Sequence, residues 1–476
     1  MALSIKEFEK EFILAIQEGT AAIFAGAGIS RPSGFVDWQQ LMSSIAQSIG
    51  LDSKKETDFA AVAQYYVNDR RNRSGINSLI SNHFVKYAKL NPLVSIITKL
   101  PINTYWTTNY DRLLEDSFEK QHRICDVKIS PDSVSVASQN ADVTLYKMHG
   151  DCRQPEQCVL TKEDYEVYDR ERHIFVTTLQ AHLVTKTFLF VGFSFDDPNL
   201  YHILSRVRVL LGENIRTHYC FFEKVKSIDG EKSEETEYRK TKQDLRIEDL
   251  KRYGICAVLV DSYQEIPRIL EHIYLQAKVK NVFISGAAHD YGAIWQNTGT
   301  KFIRELTQML YDNDYKIVTG HARGVGSFVI STILQNTQSN IRLLESHLDI
   351  KAFPYEEKGA VDYDKKKKDY RHGIAEKVGV SIFIFGNREE LNGEKSNITL
   401  ASGMWDEYEA AREAHNYIIP VGSTGYMAQK IYDDVVCNKD EYGYLTSENL
   451  NILGSCTNSK TLVHEIERIL ERIKNM

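Results

Sequence analysis

Short apolar runs that break into glycine-rich or polar turns, each followed by a helical pattern, recur along nearly the whole chain. That alternation restricts the fold more than any other feature. In the first part the runs are TAAIFAGAGIS (20–30), PINTYWTTNYD (101–111), TLYKMHGD (144–151), KTFLFVGFSFDDPNL (186–200), HYCFFE (218–223) and ICAVLV (255–260). An amphipathic helix precedes them, with Phe8, Phe12, Ile13 and Ile16 at helical spacing, and the helix EIPRILEHIYLQAK (265–278) closes the series. The alternation then restarts with NVFISGAA (281–288), KIVTGHARGVG (316–326), a strand around 347–353, VSIFIFGN (380–387) and NYIIPVGSTG (416–425). Strands alternating with helices build parallel sheets covered on both faces. The pattern predicts an α/β chain of two domains, 1–278 and 279–476. The length of 476 residues suits two or three domains of ordinary size.

Composition removes other classes. Apolar residues make up 42% and charged residues 26%, which is ordinary for a globular chain. The net charge of −7 argues against nucleic-acid binding through a basic surface. No apolar run approaches the ~20 residues needed to cross a bilayer, and the start MALSIKEFEKEF lacks a signal-peptide core. The expectation is a cytoplasmic protein with no membrane partner. The seven cysteines are scattered, without a CxxC pair, so neither a disulfide framework nor a four-cysteine zinc site is expected. The charged stretch 224–252 mixes both signs and reads as a loop and a solvated helix.

In an open parallel sheet, ligands sit at the carboxyl ends of the strands, and there the informative residues fall. Ala25-Gly26-Ala27-Gly28 would let a pyrophosphate approach the backbone at a helix N-terminus, and Ser30 adds a hydroxyl. A tight turn needs the same glycines without any ligand. Thr107, Thr108, Asn109, Tyr110 and Asp111 follow the next run. An Asn amide suits a carboxamide or a water, whereas the same residue types also cap helices. His149 can take a proton near neutral pH or serve structure alone. Gly192, Ser194, Asp196 and Asp197 offer ribose or phosphate contacts. Four successive strand ends aimed at one crevice are more specific than any one of them.

The second region repeats the pattern with Ser285-Gly286-Ala287, the loop holding Gly324, Val325, Gly326 and Ser327, and the turns Gly386-Asn387 and Gly422 to Gly425. GHARGVGS reads as a phosphate-cradling loop. Three neighbouring aspartates offset much of the charge of Lys365 to Lys368, which read as a solvated face, leaving Arg371 as the better phosphate contact. Glu407 either binds a ribose diol or faces water.

GAGIS, TTNYD, KMHGD and GFSFDDPNL resemble, in order, the motifs of sirtuin-type NAD-binding domains. The resemblance covers about residues 15–270 and implies a Rossmann-like domain that cleaves the nicotinamide–ribose bond. It implies that Asn109 and Asp111 contact the nicotinamide ribose and the attacking water, and that His149 is the base. It also implies NAD contacts by Ala25, Gly26, Ala27, Gly28, Ser30, Thr108, Gly192, Ser194 and Asp197. Two departures matter. The zinc module of sirtuin deacylases is missing, and Asp37-Trp38-Gln39 replaces the usual Asp-Phe-Arg. Water then becomes the expected acceptor, with no metal required.

The second region is similar to SLOG-type domains, but lacks their enzymes' PGGxGTxxE string, so nucleotide sensing is expected there. The pairing resembles the NAD-cleaving effectors of Thoeris anti-phage defence. That resemblance implies NAD+ hydrolysis in a homotetramer, switched on by a cyclic ADP-ribose isomer from a separate TIR-domain protein, with NAD+ depletion and abortive infection. It implies a signal site of Ser285, Gly286, Ala287, Gly324, Val325, Gly326, Ser327, Arg371 and Glu407. For a lysine that the family uses near Glu407, the chain offers Lys395. Two other readings remain: a sirtuin-like deacylase or ADP-ribosyltransferase, and a non-catalytic nucleotide-binding sensor.

Overall fold

The computed structural model describes residues 3–35, 38–85, 88–136, 138–193, 195, 198–212, 214–338, 340–351, 362–392 and 395–476. The chain divides into two compact units, Met1–Tyr274 and Leu275–Met476.

The first unit is built on β1 (Ala21–Ala25), β2 (Thr104–Thr107), β3 (Cys125–Lys128), β4 (Val143–Lys147), β5 (Thr187–Val191), β6 (His218–Glu223) and β7 (Ile255–Val260). They form one sheet of seven strands in the order β3-β4-β2-β1-β5-β6-β7, and every pairing is parallel. Every residue of β1, β2 and β5 is buried, which explains why these strands read as apolar runs without alternation. After β1 the chain builds outward through β2, and from β5 it builds the other way. The switch point therefore lies between β1 and β5, where such sheets open a ligand crevice.

The opening helix Ile5–Gln17 begins at Ser4, whose hydroxyl and the Glu7 side chain form a capping box. It buries Phe8, Phe12 and Ile16, as its spacing predicts. Within the sheet's core Phe24 stacks on Phe190, with ring centroids 5.3 Å apart, and meets Phe193 edge-on at 5.1 Å.

The second unit holds β8 (Asn281–Ser285), β9 (Lys316–Thr319), β10 (Leu348–Ile350), β11 (Val380–Phe383), a hairpin of β12 (Asn387–Asn392) and β13 (Lys395–Leu400), and β14 (Tyr417–Pro420). Five of these strands form a sheet ordered β10-β9-β8-β11-β14, again with parallel pairings. Its switch point lies between β8 and β11. Both sheets thus have the expected α/β, Rossmann-like character.

Two elements were not expected. β3 is a short edge strand in which only Lys128 is buried, so it carries no apolar run. The β12–β13 hairpin pairs Asn392 with Lys395. The run 380–387 is also shorter as a strand than expected. It ends at Phe383, and Phe385 turns into the left-handed region at φ 56°. The charged stretch does hold a helix, Ser233–Lys251. Among the described residues no helix is long and apolar enough to cross a membrane.

Phe24 is fully buried between aromatic neighbours. Phe24→Ala is expected to destabilise the first unit by about 3–5 kcal/mol, read as a lower urea midpoint with an unchanged slope.

Candidate functional site

At the first switch point, the turns after β1 and β5 lie backbone against backbone. Gly26 N–H donates to Val191 O at 2.9 Å, and Gly28 N–H donates to Gly192 O at 2.8 Å. A Cβ on Gly28 would lie 2.8 Å from Gly192 Cα, and one on Gly26 would strike Gly192 O. Gly192 itself sits at φ +65°, and a Cβ there would lie 2.5 Å from Ile29 N. These glycines are needed for packing whether or not a phosphate follows.

That approach sets the short 3-10 turn Ala27–Ile29 and, behind it, the buried Ser30. Ser30 Oγ donates to Asp111 Oδ2 at 2.8 Å, while Asn109 Nδ2 donates to Ser30 Oγ and to Gly26 O, each at 3.1 Å. Thr107 Oγ1 donates to Ala25 O at 2.8 Å and accepts from Asn109 N–H at 3.0 Å. The strand ends of β1 and β2 are therefore joined by side chains. Asp111 also accepts from Leu113 N–H at 3.0 Å, but the cap position of helix Leu113–Lys120 is Arg112, which makes no side-chain cap hydrogen bond. Burial pushes the Asp111 carboxyl above the usual range, opposed by the Lys147 charge and the Ser30 hydrogen bond.

His149 follows β4 and is about 1% exposed. Its ring meets Tyr165 and Tyr168 edge-on, at centroid distances of 5.7 and 6.0 Å. Val159 ties its turn to the β2 loop. Val159 N–H donates to His149 O at 2.9 Å, and Tyr110 Oη donates to Val159 O at 2.6 Å.

Below these loops lies a cluster that sequence reasoning missed. Lys147 is fully buried. Its Nζ donates to Asp111 O (2.6 Å), Asp151 Oδ2 (2.7 Å), Glu115 Oε1 (3.0 Å) and Tyr110 O (3.2 Å). Arg153 Nε donates to Asp151 Oδ1 at 2.8 Å. Burial by itself would raise the Asp151 carboxyl, but Lys147 and Arg153 override it and hold it at about 2. The sequence carried no signal for this cluster, because i,i+4 spacing pairs side chains only on a helix and Lys147 ends a strand. Cys152 and Cys158 are buried nearby, and burial pushes their thiols up to about 11 and about 12. Among the described residues no group of three His, Cys, Asp or Glu is arranged to hold a metal.

Thr108 is partly buried at the same loop. Ser194, Asp196 and Asp197 lie outside the described residues, as does Asp37.

In the second unit Ser285, at the end of β8, donates to Glu407 Oε2 at 2.6 Å. Burial pushes the Glu407 carboxyl up, against the Ser285 hydrogen bond and the Arg371 charge. Arg371 Nη1 pairs with Asp406 Oδ2 at 2.8 Å, a partner not foreseen. Gly286 packs on the end of β11, where a Cβ would lie 2.5 Å from Ile384 O. Gly324, at φ +79°, lies against Ala288, and Gly326 against Gly320. Val325 is buried and Ser327 is exposed at the start of helix Gly326–Thr337. Asn387 lies in the Gly386-Asn387 turn that the sequence singled out, and it binds the neighbouring strand end. Its Oδ1 accepts from His289 and Asp290 N–H, each at 3.0 Å, while Ala287 O accepts from Gly386 and Asn387 N–H. Lys395 begins β13, and its side chain is not described.

The fold and these strand ends define a class: a SIR2-like domain followed by a SLOG domain. Residues 103–248 match the SIR2-like domain family, and residues 265–473 match the Sir2- and TIR-associating SLOG family. The chain is 41% identical over 435 residues to the NAD(+) hydrolase ThsA of Bacillus cereus (strain MSX-D12), covering 91% of this chain and 89% of that protein. It is 37% identical over 431 residues to NAD(+) hydrolase ThsA of Acinetobacter baumannii (strain 532279), covering 90% and 89%. It is 39% identical over 451 residues to that of Cytobacillus dafuensis, covering 93% and 90%. The chain belongs to the ThsA family of NAD(+) hydrolases.

Asp151 is held low when folded and returns to about 3.9 when unfolded. Its contribution is therefore present above pH ~4 and lost as the pH falls towards 2. Asp151→Asn is expected to lower unfolding free energy by about 2 kcal/mol at pH 7. Urea titrations at pH 7 and pH 3 should show the gap between variant and wild type narrowing in acid.

Proposed function

We propose that the chain hydrolyses NAD+ to ADP-ribose and nicotinamide in its first unit, under control of a nucleotide bound by its second. The observation that carries this is the convergence of Ser30, Asn109, Asp111 and His149 on neighbouring strand ends beside the switch point, in a chain of this family.

In this reading the C1′–N1 bond breaks and its electron pair leaves with nicotinamide, which becomes neutral. The ribosyl group passes through an oxocarbenium-like state, water adds at C1′, and its proton passes to His149 and on to solvent. The protein must orient NAD+, face the developing cation with negative charge and place one water. Asn109 would hold the water or the ribose hydroxyls, and Asp111 would supply negative charge beside the ribose. Ala25 to Gly28, Ser30, Thr108 and Gly192, with Ser194 and Asp197, would line the dinucleotide.

The burial of His149 behind Tyr165 and Tyr168 supports an enzyme that rests closed, since water must reach that imidazole. A signal that binds the open state more tightly would then switch it on. We assign that role to a cyclic ADP-ribose isomer made by a TIR-domain protein. It would bind in the second unit among Ser285, Gly286, Ala287, Gly324, Val325, Gly326, Ser327, Arg371, Lys395 and Glu407. Arg371 suits a phosphate and Glu407 a ribose diol. Action in the cytoplasm as a homotetramer, with NAD+ depletion aborting infection, completes the reading.

NAD+ consumption by purified protein, with and without each cyclic ADP-ribose isomer, tests it. Loss of NAD+ should require one isomer and fall by about 10²–10⁴-fold in His149→Ala, with a comparable loss in Asn109→Ala. Glu407→Gln should raise the half-activating concentration about tenfold or more. Nicotinamide release that depends on an added acyl-lysine peptide would instead assign a peptide acceptor, and no turnover in any arm would leave a binding protein.

A further inference from the structure

Lys147 has no role in the chemistry described above, yet it is the most completely enclosed charge near the site. Its ammonium has three protons and reaches four oxygens contributed by three segments. Two are backbone carbonyls of Tyr110 and Asp111, in the loop that carries Asn109. One is the Glu115 carboxylate, on the helix Leu113–Lys120 that the same loop feeds. The last is the Asp151 carboxylate, in the turn that carries His149. One side chain thus fixes the β2 loop against the β4 turn.

Stability alone is a poor reason for such a group. Buried ion pairs contribute little over well-packed apolar residues, because desolvation offsets their attraction. Position and charge are what an apolar side chain of the same length cannot supply. We propose that Lys147 is a positioning residue for NAD+ hydrolysis, clamping the Asn109–Asp111 loop to the His149–Asp151 turn and setting a positive charge close to the Asp111 carboxylate. The proposal rests on the hydrolase reading above.

The charge balance around Asp111 supports it. Ser30 and Asn109 bring only neutral donors from the β1 and β2 loops. Glu115 and Arg112 lie on the helix side, and Asp151, Cys152 and Arg153 on the β4 side. Arg112 pairs with Asp116 at 3.4 Å, and Arg153 with Asp151. Lys147 is the cation that weighs on Asp111, holding its carboxyl down against the rise that burial causes.

The test compares wild type, Glu115→Gln, Lys147→Met and the charge-balanced Lys147→Met/Glu115→Gln. Turnover of NAD+ is followed across pH with a saturating cyclic ADP-ribose isomer, and thermal midpoints are recorded. Both Lys147 variants should lose about 100-fold in kcat, with KM for NAD+ moving less than about threefold. Their acid limb should move up by about 1–3 pH units, as expected when an opposite charge is taken from a carboxylate. The double variant should regain the thermal midpoint that Lys147→Met loses, without regaining kcat. Glu115→Gln should keep the wild-type acid limb. Recovery of kcat together with the thermal midpoint would make Lys147 merely structural and overturn the proposal. So would an unshifted acid limb, or a double variant that does not fold. An inert wild type would sink the hydrolase reading itself, whereas an active wild type with fully active Lys147 variants would sink only this one.

Discussion

The turns after β1 and β5 approach so closely that Gly26, Gly28 and Gly192 have no room for a side chain, and the first site is built on that approach. Two backbone hydrogen bonds, from Gly26 to Val191 and from Gly28 to Gly192, hold the turns together. Glycine is required on both sides, and at Gly192 the left-handed backbone demands it as well. With that floor set, the 3-10 turn must deliver Ser30 inward. Ser30 then fixes Asn109 and Asp111 through its single hydroxyl, which donates to one and accepts from the other. A displacement at the glycine contact would pass directly to each of these groups, because they bond to one another.

The second unit solves the same problem with different parts. Gly286 approaches the end of β11, and Gly324 and Gly326 fold the β9 loop onto Ala288 and Gly320. Ser285 again projects a hydroxyl from the central strand onto a carboxylate, here Glu407. What differs is the clamp. In the first unit a buried ammonium joins the loops. In the second a neutral amide, Asn387, does so by accepting from His289 and Asp290 N–H and donating to Asp290 O. A neutral clamp adds no charge beside Arg371 and Glu407. A charged clamp changes the electrostatics of the site it holds.

Strands buried on both faces were readable in the sequence because AAIFA and TFLFV are short, almost wholly apolar runs that end at glycine-bearing turns. The edge strand CDVK was not, since an edge needs little burial and so leaves no apolar run. Residues such as Ser30, Asn109 and His149 could be singled out as candidates because they stand at strand ends, where a parallel sheet places its ligand crevice. Lys147 could not be found that way. It sits at the last position of a strand, where a lysine ordinarily reads as solvent-facing, and only the packing of three segments around it makes it a buried charge. The glycines were legible as a pattern but not in purpose, because a close backbone approach and a phosphate cradle require the same residue.

Both units bond polar groups at their strand ends to one another. Ser30 is bonded to Asp111, and Ser285 to Glu407. A ligand hydroxyl that displaces Ser285 from Glu407 gains one charge-assisted hydrogen bond only by breaking another, so the exchange adds little affinity. It adds discrimination instead, because a ligand without a hydroxyl at that point leaves a carboxylate unsatisfied. On the hydrolase reading this suits both sites. An enzyme that consumes a cell's NAD+ gains more from refusing the wrong signal than from binding the right one tightly.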